Sequence, residues 1–288
     1  MTTDITNLPE QKWDKRLDSK HKMLDFNIKE LIQYKDLILL FIKRDFTTQY
    51  KQTVLGPIWY IVQPLVTTII NTFIFGNLAQ IGTDGVPYLL FYFAGTMLWT
   101  FFTNALNTAA GTFSNNQAIF SKVYFPRLAT IISSLATNVI KLGIQFACLL
   151  VFWIYYLIIG QSVHPTPWAL LFPLIILWLG LLGAGMGMIF SALTTKYRDL
   201  NHLLGFGLGL AMYITPVVYP LSEAPAQFSW LFYINPVSAP IEMFRILFYG
   251  AGYVPPLMVL CSLAMTAIFV FFGLVLFSRN ERTFVDVI

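Results

Sequence analysis

Charged residues are scarce in this chain, and most of them lie near one end. They make up 11% of the 288 residues, whereas a soluble domain carries about a quarter. Eighteen of the 32 charged side chains fall within the first 51 positions. The rest of the chain therefore lacks the polar surface of a water-soluble domain, and its 57% hydrophobic composition places it in a membrane.

Cysteines and catalytic motifs are equally few. Cys148 and Cys261 lie in apolar stretches and indicate neither a disulfide framework nor a metal site. His21, His164 and His202 have no carboxylate at metal-ligand spacing. The chain has neither a glycine-rich phosphate loop nor an Asp-x-Asp pair. We therefore expect no catalytic site, no metal and no cofactor in this chain.

The chain divides by composition into a polar head, a membrane body and a short tail. The N-terminus is too charged for a secretory signal, so residues 1–22 are expected to be a cytoplasmic tail, to which no role is assigned. In residues 23–51 apolar residues recur among many charged ones. This pattern predicts one or two amphipathic helices along the cytoplasmic interface, or simply a surface anchor. Residues 52–278 form the membrane domain, and 279–288 a cytoplasmic tail.

Charge-free intervals predict an all-α integral membrane fold with six transmembrane helices, because a bilayer core needs about 20 apolar helical residues. The apolar runs are continuous and do not alternate as strands of a barrel would. The predicted spans are 58–79, 86–109, 128–160, 168–193, 202 to about 216–220, and 256–277. Gly183 with Gly187, and Gly205 with Gly209, have the spacing of close helix contacts; we favour packing within the chain over a dimer seam.

The basic residues predict which side each loop faces. The head, the 114–127 loop, the 195–202 loop and the tail after the last span hold sixteen of the eighteen Lys and Arg. Arg245 lies on the opposite side, and Lys141 falls inside the third span. By the positive-inside rule, both termini are cytoplasmic.

The segment 215–252 is too apolar for a solvated loop and too rich in proline for a straight helix. It predicts short re-entrant or interfacial helices on the outer side, with their backbone covered by protein.

Aromatic residues are concentrated between positions 88 and 102, where seven of fifteen are aromatic. Tyr88, Tyr92, Trp99 and Phe102 follow helical spacing and share one face. An interfacial aromatic belt explains the outer residues. For the deeper pair, a track of rings along which sugars slide is an equal alternative.

Two loops on the predicted cytoplasmic side, 118–127 and 194–200, combine apolar residues with Lys and Arg. Such a surface needs a cover. Either a partner protein supplies it, or the loops pack on the underside of the helix bundle.

Three motifs carry a resemblance to a known family. Lys43-Arg44-Asp45, continuing through Tyr50-Lys51 to Leu55-Gly56-Pro57-Ile58-Trp59 and Gln63-Pro64-Leu65, resembles the start of type-2 ABC exporter permeases for polysaccharides. More narrowly, it is similar to the Wzm-type permeases that export O-antigen or teichoic acid. The segments 122–127 and 197–200, the latter followed by Thr215-Pro216-Val217, resemble the inner-loop motifs of that family. The resemblance covers about residues 30–285.

The resemblance implies a homodimeric permease with two copies of a separate ATPase subunit, which would bind ATP and Mg²⁺. The inner loops of this family dock in the ATPases, and 23–51 would frame a lateral cytoplasmic gate. It places ATPase coupling at these residues: Phe120, Ser121, Lys122, Phe125, Pro126, Arg127, Tyr197, Arg198 and Asp199.

The cargo implied by the resemblance is a long glycan on undecaprenyl diphosphate, exported across the bacterial cytoplasmic membrane. The aromatic residues expected along its channel are Trp59, Tyr60, Tyr88, Tyr92, Trp99, Phe102, Tyr213 and Tyr219. By position, Arg44 and Lys51 are expected to contact the diphosphate, or else to anchor the chain to anionic lipids.

Lys141 is a further candidate for diphosphate contact. If the third span begins near Arg127, Lys141 lies about 20 Å along the helix and should face a wet cavity or a partner. If the span begins nearer Ser134, the side chain snorkels to the inner surface.

Two other functions fit the sequence less well. One is an exporter of the same fold for a small hydrophobic drug or lipid. The other is a membrane enzyme acting on polyprenyl-linked sugars, which would need a polar cluster such as Glu223, Glu242 and Arg245.

Overall fold

The computed structural model describes residues 28–287, apart from positions 52, 55, 121, 124, 162, 195, 196 and 198. The predicted tail 1–22 and the first residues of the amphipathic segment lie outside this part of the chain. Every regular element within the described residues is helical. This confirms the all-α fold class.

Eleven α-helices are described, joined by short 3-10 turns. Their bounds are α1 Ile28–Gln33, α2 Lys35–Tyr50, α3 Trp59–Asn71, α4 Tyr88–Ala110, α5 Thr112–Phe120, α6 Leu128–Ile158, α7 Phe172–Thr194, α8 Leu200–Ile214, α9 Ser229–Ile234, α10 Ser238–Tyr249 and α11 Pro256–Val287. A 3-10 turn at Gly56–Ile58 and a π-helical segment at Thr72–Leu78 extend α3 at its two ends.

Five helical segments of the described chain are long and apolar enough to cross a membrane. They are Gly56–Leu78, Tyr88–Ala110, Leu128–Ile158, Pro167–Thr194 and Pro256–Glu281, and they match the first four predicted spans and the last. The fifth predicted span corresponds to α8, an apolar helix of 15 residues. At 1.5 Å per residue α8 is about 22 Å long, so a sixth crossing stays a prediction.

Helix α4 is the centre of the bundle. It packs against α7, α6, α3 and α10, and 16 of its 23 residues are buried within this one chain. Its contact with α7 depends on glycine: a Cβ at Gly183 would lie 2.8 Å from the Phe102 carbonyl oxygen. Close backbone approach at small residues is a common way for membrane helices to associate.

The two predicted glycine pairs behave differently. Gly183 and Gly187 pack against α4 within the chain, as predicted. For Gly205 and Gly209 the described residues contradict the prediction of packing within the chain, because none of their heavy atoms lies within 4 Å of a Cβ placed at either position. Helix α8 contacts little else than α7, which leaves these two glycines open on its other faces.

Helices α1 and α2 cover one end of the bundle. The predicted amphipathic segment forms these two short helices, and the apolar side of α2 buries Phe41 against Phe125 and Ala129. The Phe41 and Phe125 ring centroids are 5.4 Å apart. The end of α11 meets the same region, since the Arg127 guanidinium donates to the Glu281 carbonyl oxygen at 2.7 Å. Helices α1 and α2, the segment that precedes α6 and the end of α11 therefore share one end of the molecule.

The segment between α8 and α11 covers the opposite end. It is broken into two 3-10 turns and the helices α9 and α10, as the prolines predict. Ser222 donates a hydrogen bond of 2.6 Å to Asp84 of the 79–87 loop, and Tyr249 donates one of 3.1 Å to the Leu90 carbonyl. Burial raises the pKa of the Tyr249 phenol, which therefore keeps the proton that it donates. Whether these helices re-enter a membrane stays a prediction.

Candidate functional site

An open cleft of about 500 Å³ lies at the end covered by α9 and α10. It contains Tyr213 and Tyr219, two of the residues predicted to line a channel. The Tyr219 hydroxyl donates to the Tyr213 carbonyl oxygen at 3.1 Å, and its ring meets Phe232 edge-on at 6.1 Å. Burial raises the pKa of the Tyr219 phenol, so that hydroxyl stays a donor. The ring of Tyr213 is 60% exposed.

Polar groups stand among the rings of this cleft. Glu223 and Gln80 line it together with the exposed ring of Phe228. The backbone of Gln80 is left-handed, with φ at 53°. Clefts of this size that combine rings with a few polar groups are typical ligand sites. Rings offer a flat apolar face, and the carboxylate and carboxamide can bind hydroxyl groups.

The predicted aromatic face of α4 forms, but most of it is turned into the chain. Tyr88 and Tyr92 stack at 6.2 Å, and Trp99 lies 5.6 Å from Phe102. Tyr92, Trp99 and Phe102 are buried in the core, whereas Tyr88 is 36% exposed. A channel role for this face stays a prediction, and Tyr88 is the member that a ligand could reach in this conformation.

A second, smaller cavity of about 190 Å³ lies between α3, α4 and α6. It brings together Tyr60 and Lys141, with the Lys141 nitrogen 5.2 Å from the centre of the Tyr60 ring. Because α6 begins at Leu128, Lys141 lies about 20 Å along it. With 31 residues, α6 is about 46 Å long and exceeds a bilayer core of about 30 Å, so the depth of Lys141 in a membrane stays a prediction. Trp59, the neighbour of Tyr60, is exposed on the outside of α3.

The other two predicted lipid contacts lie at the end of α2. Arg44 pairs with Asp45 at 2.7 Å, lies over the Phe41 ring at 4.6 Å and donates to Asn116 at 3.4 Å. Lys51 follows the last residue of α2 and is exposed. Both cations are thus at the basic end of the bundle, although Arg44 is already engaged within the chain.

The predicted coupling residues divide into a packed group and an exposed group. Phe125 and Arg127 are buried, and Phe120 is half-buried between Phe113 and Phe125. Pro126 is also half-buried. These residues therefore pack on the helix bundle of the chain itself. Arg127 lies over the Phe120 ring at 5.1 Å and also bonds to Glu281.

The exposed group can still meet another protein. Lys122, Tyr197 and Asp199 are exposed, and so is Val123, at 58%. Ser121 and Arg198 lie outside the described residues. The prediction of ATPase coupling therefore stays open for a smaller surface than the sequence suggested.

Residues 36–249 match the family model described as ABC-2 type transporter. That region spans α2 to α10 and contains every predicted site residue. The chain belongs to the ABC-2 type transporter family. With its long apolar helices, this ABC-2 type chain is a multi-pass membrane protein.

Curated relatives cover most of this ABC-2 type transporter chain. It is 30% identical over 213 residues to an O-antigen export system permease of Klebsiella pneumoniae, covering 74% of the chain and 80% of the relative. A Myxococcus xanthus protein of the same description is 26% identical over 77% of the chain and 84% of the relative. The polysialic acid transport protein of Escherichia coli is 24% identical over 83% of the chain and 91% of the relative.

The sequence of this ABC-2 type chain suggested Glu242 and Arg245 only as members of a catalytic cluster, whereas the two form a buried ion pair on α10. Glu242 and Arg245 are 2.6 Å apart and almost fully buried. Arg245 also donates to the Pro216 and Val217 carbonyls at 2.7 and 3.0 Å, and Glu242 accepts from the Leu221 amide at 3.0 Å. Opposite charges three residues apart in an apolar segment were the available signal.

This ion pair bears on the enzyme alternative. The carboxylate and the guanidinium are committed to each other and to backbone groups of 216–221, which leaves no face open to a substrate. Glu223 is exposed and lines the cleft at the end covered by α9 and α10 instead. The three residues therefore do not form the open polar cluster that catalysis would need.

Proposed function

We propose that this chain is the transmembrane subunit of an ATP-driven exporter that moves an undecaprenyl-diphosphate-linked, O-antigen-like polysaccharide across the bacterial cytoplasmic membrane. The observation that carries the proposal is the similarity to O-antigen export permeases over three quarters of the chain. The chain itself acts in transport and not in catalysis.

The outer cleft supports a glycan cargo. Its exposed rings, Tyr213 and Phe228, offer apolar faces to sugar rings, and Glu223 offers hydrogen-bond acceptors to their hydroxyl groups. A small hydrophobic drug without hydroxyl groups would donate no hydrogen bonds to this carboxylate. In this proposal the cleft is the outer end of the path, and Trp59, Tyr60 and Tyr88 lie along its earlier part.

The proposed assembly is a homodimer with two copies of a separate ATPase, which binds ATP and Mg²⁺. Six spans, with α8 as the fifth, put both termini in the cytoplasm beside the ATPases. Lys122, Val123, Tyr197 and Asp199 form the proposed docking surface. Arg44, Lys51 and Lys141 are the proposed cations for the lipid diphosphate, which is attracted to Lys and Arg near the inner leaflet.

The test is the fate of the glycan in a strain that lacks this chain. We expect lipid-linked polysaccharide to accumulate inside the cell and to disappear from the surface, and the wild-type chain to restore it. Normal surface polysaccharide in the deletion strain would overturn the proposal.

Substitutions in the cleft then separate a glycan from a small apolar cargo. Tyr213→Ala removes an exposed ring and is expected to lower surface polysaccharide several-fold, while Tyr213→Phe keeps the ring and restores it. Tyr253→Ala is the matched control, since Tyr253 is 68% exposed and is not among the residues lining the cleft. Equal surface polysaccharide with Tyr213→Ala and Tyr253→Ala would remove the cleft from the path.

A further inference from the structure

The cavity between α3, α4 and α6 is polar, although it lies among apolar helices. Its volume is about 190 Å³, room for about six water molecules at 30 Å³ each. Tyr60, Phe101, Pro64 and Leu142 supply its apolar wall. Its polar lining consists of Gln49, Gln63, Thr67, Thr96, Thr100, Asn104, Asn138, Lys141 and Gln145.

The cavity has a closed side and an open side. Asn138 and Gln145 on α6 are buried, and Gln145 is fixed by donating to the Tyr60 carbonyl at 3.1 Å. Gln49 at the end of α2 and Gln63 on α3 are exposed. The cavity is therefore closed against α6 and opens toward the junction of α2 and α3, where a group from the surrounding lipid can enter.

Lys141 is the one charged residue among those that line the cavity. The acidic residue that acts on it electrostatically is Asp45, whose carboxylate is already paired with Arg44 at 2.7 Å. The Tyr60 ring offsets part of the cost of burying the ammonium. A lysine within a membrane helix needs a counter-charge or water, and this one has room beside it for an anion.

Asn138 supplies an independent indication of a ligand. Its side chain is 2% exposed, and its amide nitrogen donates to the Thr108 hydroxyl at 3.2 Å. Its amide oxygen is buried and has no hydrogen-bond partner among the described residues. A buried acceptor left unpaired destabilises the fold, because its lost hydrogen bonds to water are not replaced. A ligand that donates one hydrogen bond here and accepts from Lys141 would satisfy both groups.

We infer that this cavity is a binding site for the phosphate group of a membrane lipid. Lys141 contacts the phosphate oxygens, and Asn138 accepts a hydrogen bond from a hydroxyl on the phosphorus or on the adjoining alcohol. The volume admits such a group while the acyl or prenyl chain stays outside. The inference rests on the proposed function only for one probe, since either an ordinary phospholipid or a polyprenyl lipid carries this chemistry.

The experiment measures lipid binding to the purified full-length chain by native mass spectrometry. The probes are phosphatidylglycerol, undecaprenyl phosphate and inorganic phosphate, with diacylglycerol as the lipid that lacks phosphate. We expect one or both phosphate lipids to bind, and Lys141→Gln and Asn138→Leu each to weaken that binding about tenfold, the loss of a hydrogen bond to a charged group. Lys141→Arg should keep it, and Lys43→Gln, an exposed cation on α2, should leave it unchanged.

The outcomes separate the possible ligands. The phosphate lipid whose binding weakens in Lys141→Gln is the source of the phosphate. Binding that is the same in Lys141→Gln as in the wild type, equal binding of diacylglycerol, or inorganic phosphate binding as tightly as the lipids overturns the inference. If Lys141→Gln does not fold, Asn138→Leu and Lys141→Arg still decide the matter.

The result is also distinct from that of the export test. If the binding of undecaprenyl phosphate depends on Arg44 and Lys51 but not on Lys141, the cavity is not the lipid site, and the proposal of export is unaffected. Normal surface polysaccharide in the deletion strain would refute the proposal of export and would not affect the inference of a lipid site.

Discussion

At the scale of single residues, Arg245 is a charged side chain that is almost fully buried. Its guanidinium is buried against the Phe91 ring, 3.7 Å from the ring centre, and pairs with Glu242. It also satisfies two carbonyls of the chain that follows α8. Gly95 makes room for this arrangement, since a Cβ there would lie 2.6 Å from the Val217 carbonyl oxygen. The ion pair thus fixes the outer segment to α4 and α10.

Replacing Arg245 should therefore destabilise the protein more than replacing its partner. Arg245→Leu leaves the buried Glu242 carboxylate without its counter-charge and two carbonyls without donors, and we expect a loss of about 3–5 kcal/mol. Glu242→Gln keeps an amide oxygen for the Leu221 amide and should cost less. The check is thermal unfolding of the purified protein, with Lys43→Leu at an exposed position as control. Equal unfolding temperatures for Arg245→Leu and this control would refute the assignment.

At the scale of helices, the contact between α4 and α7 depends on one missing side chain. Gly183→Ala would bring a methyl group to 2.8 Å from the Phe102 backbone oxygen and 2.9 Å from the Ala105 Cβ, so α7 must move away from α4. We expect a loss of about 1–3 kcal/mol, as for other overpacked sites. Gly143→Ala on α6 is the matched control, because a Cβ there meets nothing within 4 Å.

Thermal unfolding again provides the measurement. Gly143→Ala should be neutral or slightly stabilising, since alanine favours the helix over glycine. A Gly183→Ala protein as stable as Gly143→Ala would mean that α7 is not held at this distance from α4.

The elements that the sequence predicts well are those set by charge. Four of the five spans follow charge-free intervals, because a charged residue is costly in a bilayer and bounds each apolar run; the third contains Lys141. Helix α8 is predicted less well: Asp199 and Pro216 limit its length to 15 residues. The side chains that face inward are harder to predict, since in an all-apolar helix periodicity does not separate the core face from the outer face. Tyr92 and Phe102 are examples: both are buried, although they share a helical face with the exposed Tyr88.

The polar sites were predictable in part. Lys141 stood out as a charge inside a span, and it lies about 20 Å from the start of α6 at Leu128. The residues that line the cavity with Lys141 did not follow, because Gln49, Tyr60, Thr96 and Asn138 come from four helices whose packing no local pattern specifies. The same holds for Arg245, whose acceptors at Pro216 and Val217 precede it by almost thirty residues.

At the scale of the whole molecule, the basic end combines a packed layer with an exposed one. Phe41, Phe125 and Ala129 join α2 to the first inner loop, and Arg127 joins that loop to α11. A force applied to the loop would therefore reach both the amphipathic helix and the last span. Val123 and Tyr197 lie outside this layer and leave apolar surface uncovered by the chain, which is the position expected of a docking surface.

Substitutions in the two layers should consequently fail in different ways. Val123→Ser and Tyr197→Ala should reduce the amount of ATPase subunit that co-purifies with the chain several-fold, with the unfolding temperature unchanged, because they remove exposed apolar contacts. Phe125→Ala should instead lower the stability by about 3–5 kcal/mol, because it empties a buried site. Tyr253→Ala, exposed at the opposite end, is the control for co-purification. Undiminished ATPase with both Val123→Ser and Tyr197→Ala would show that the partner, if it docks at this end, uses another surface.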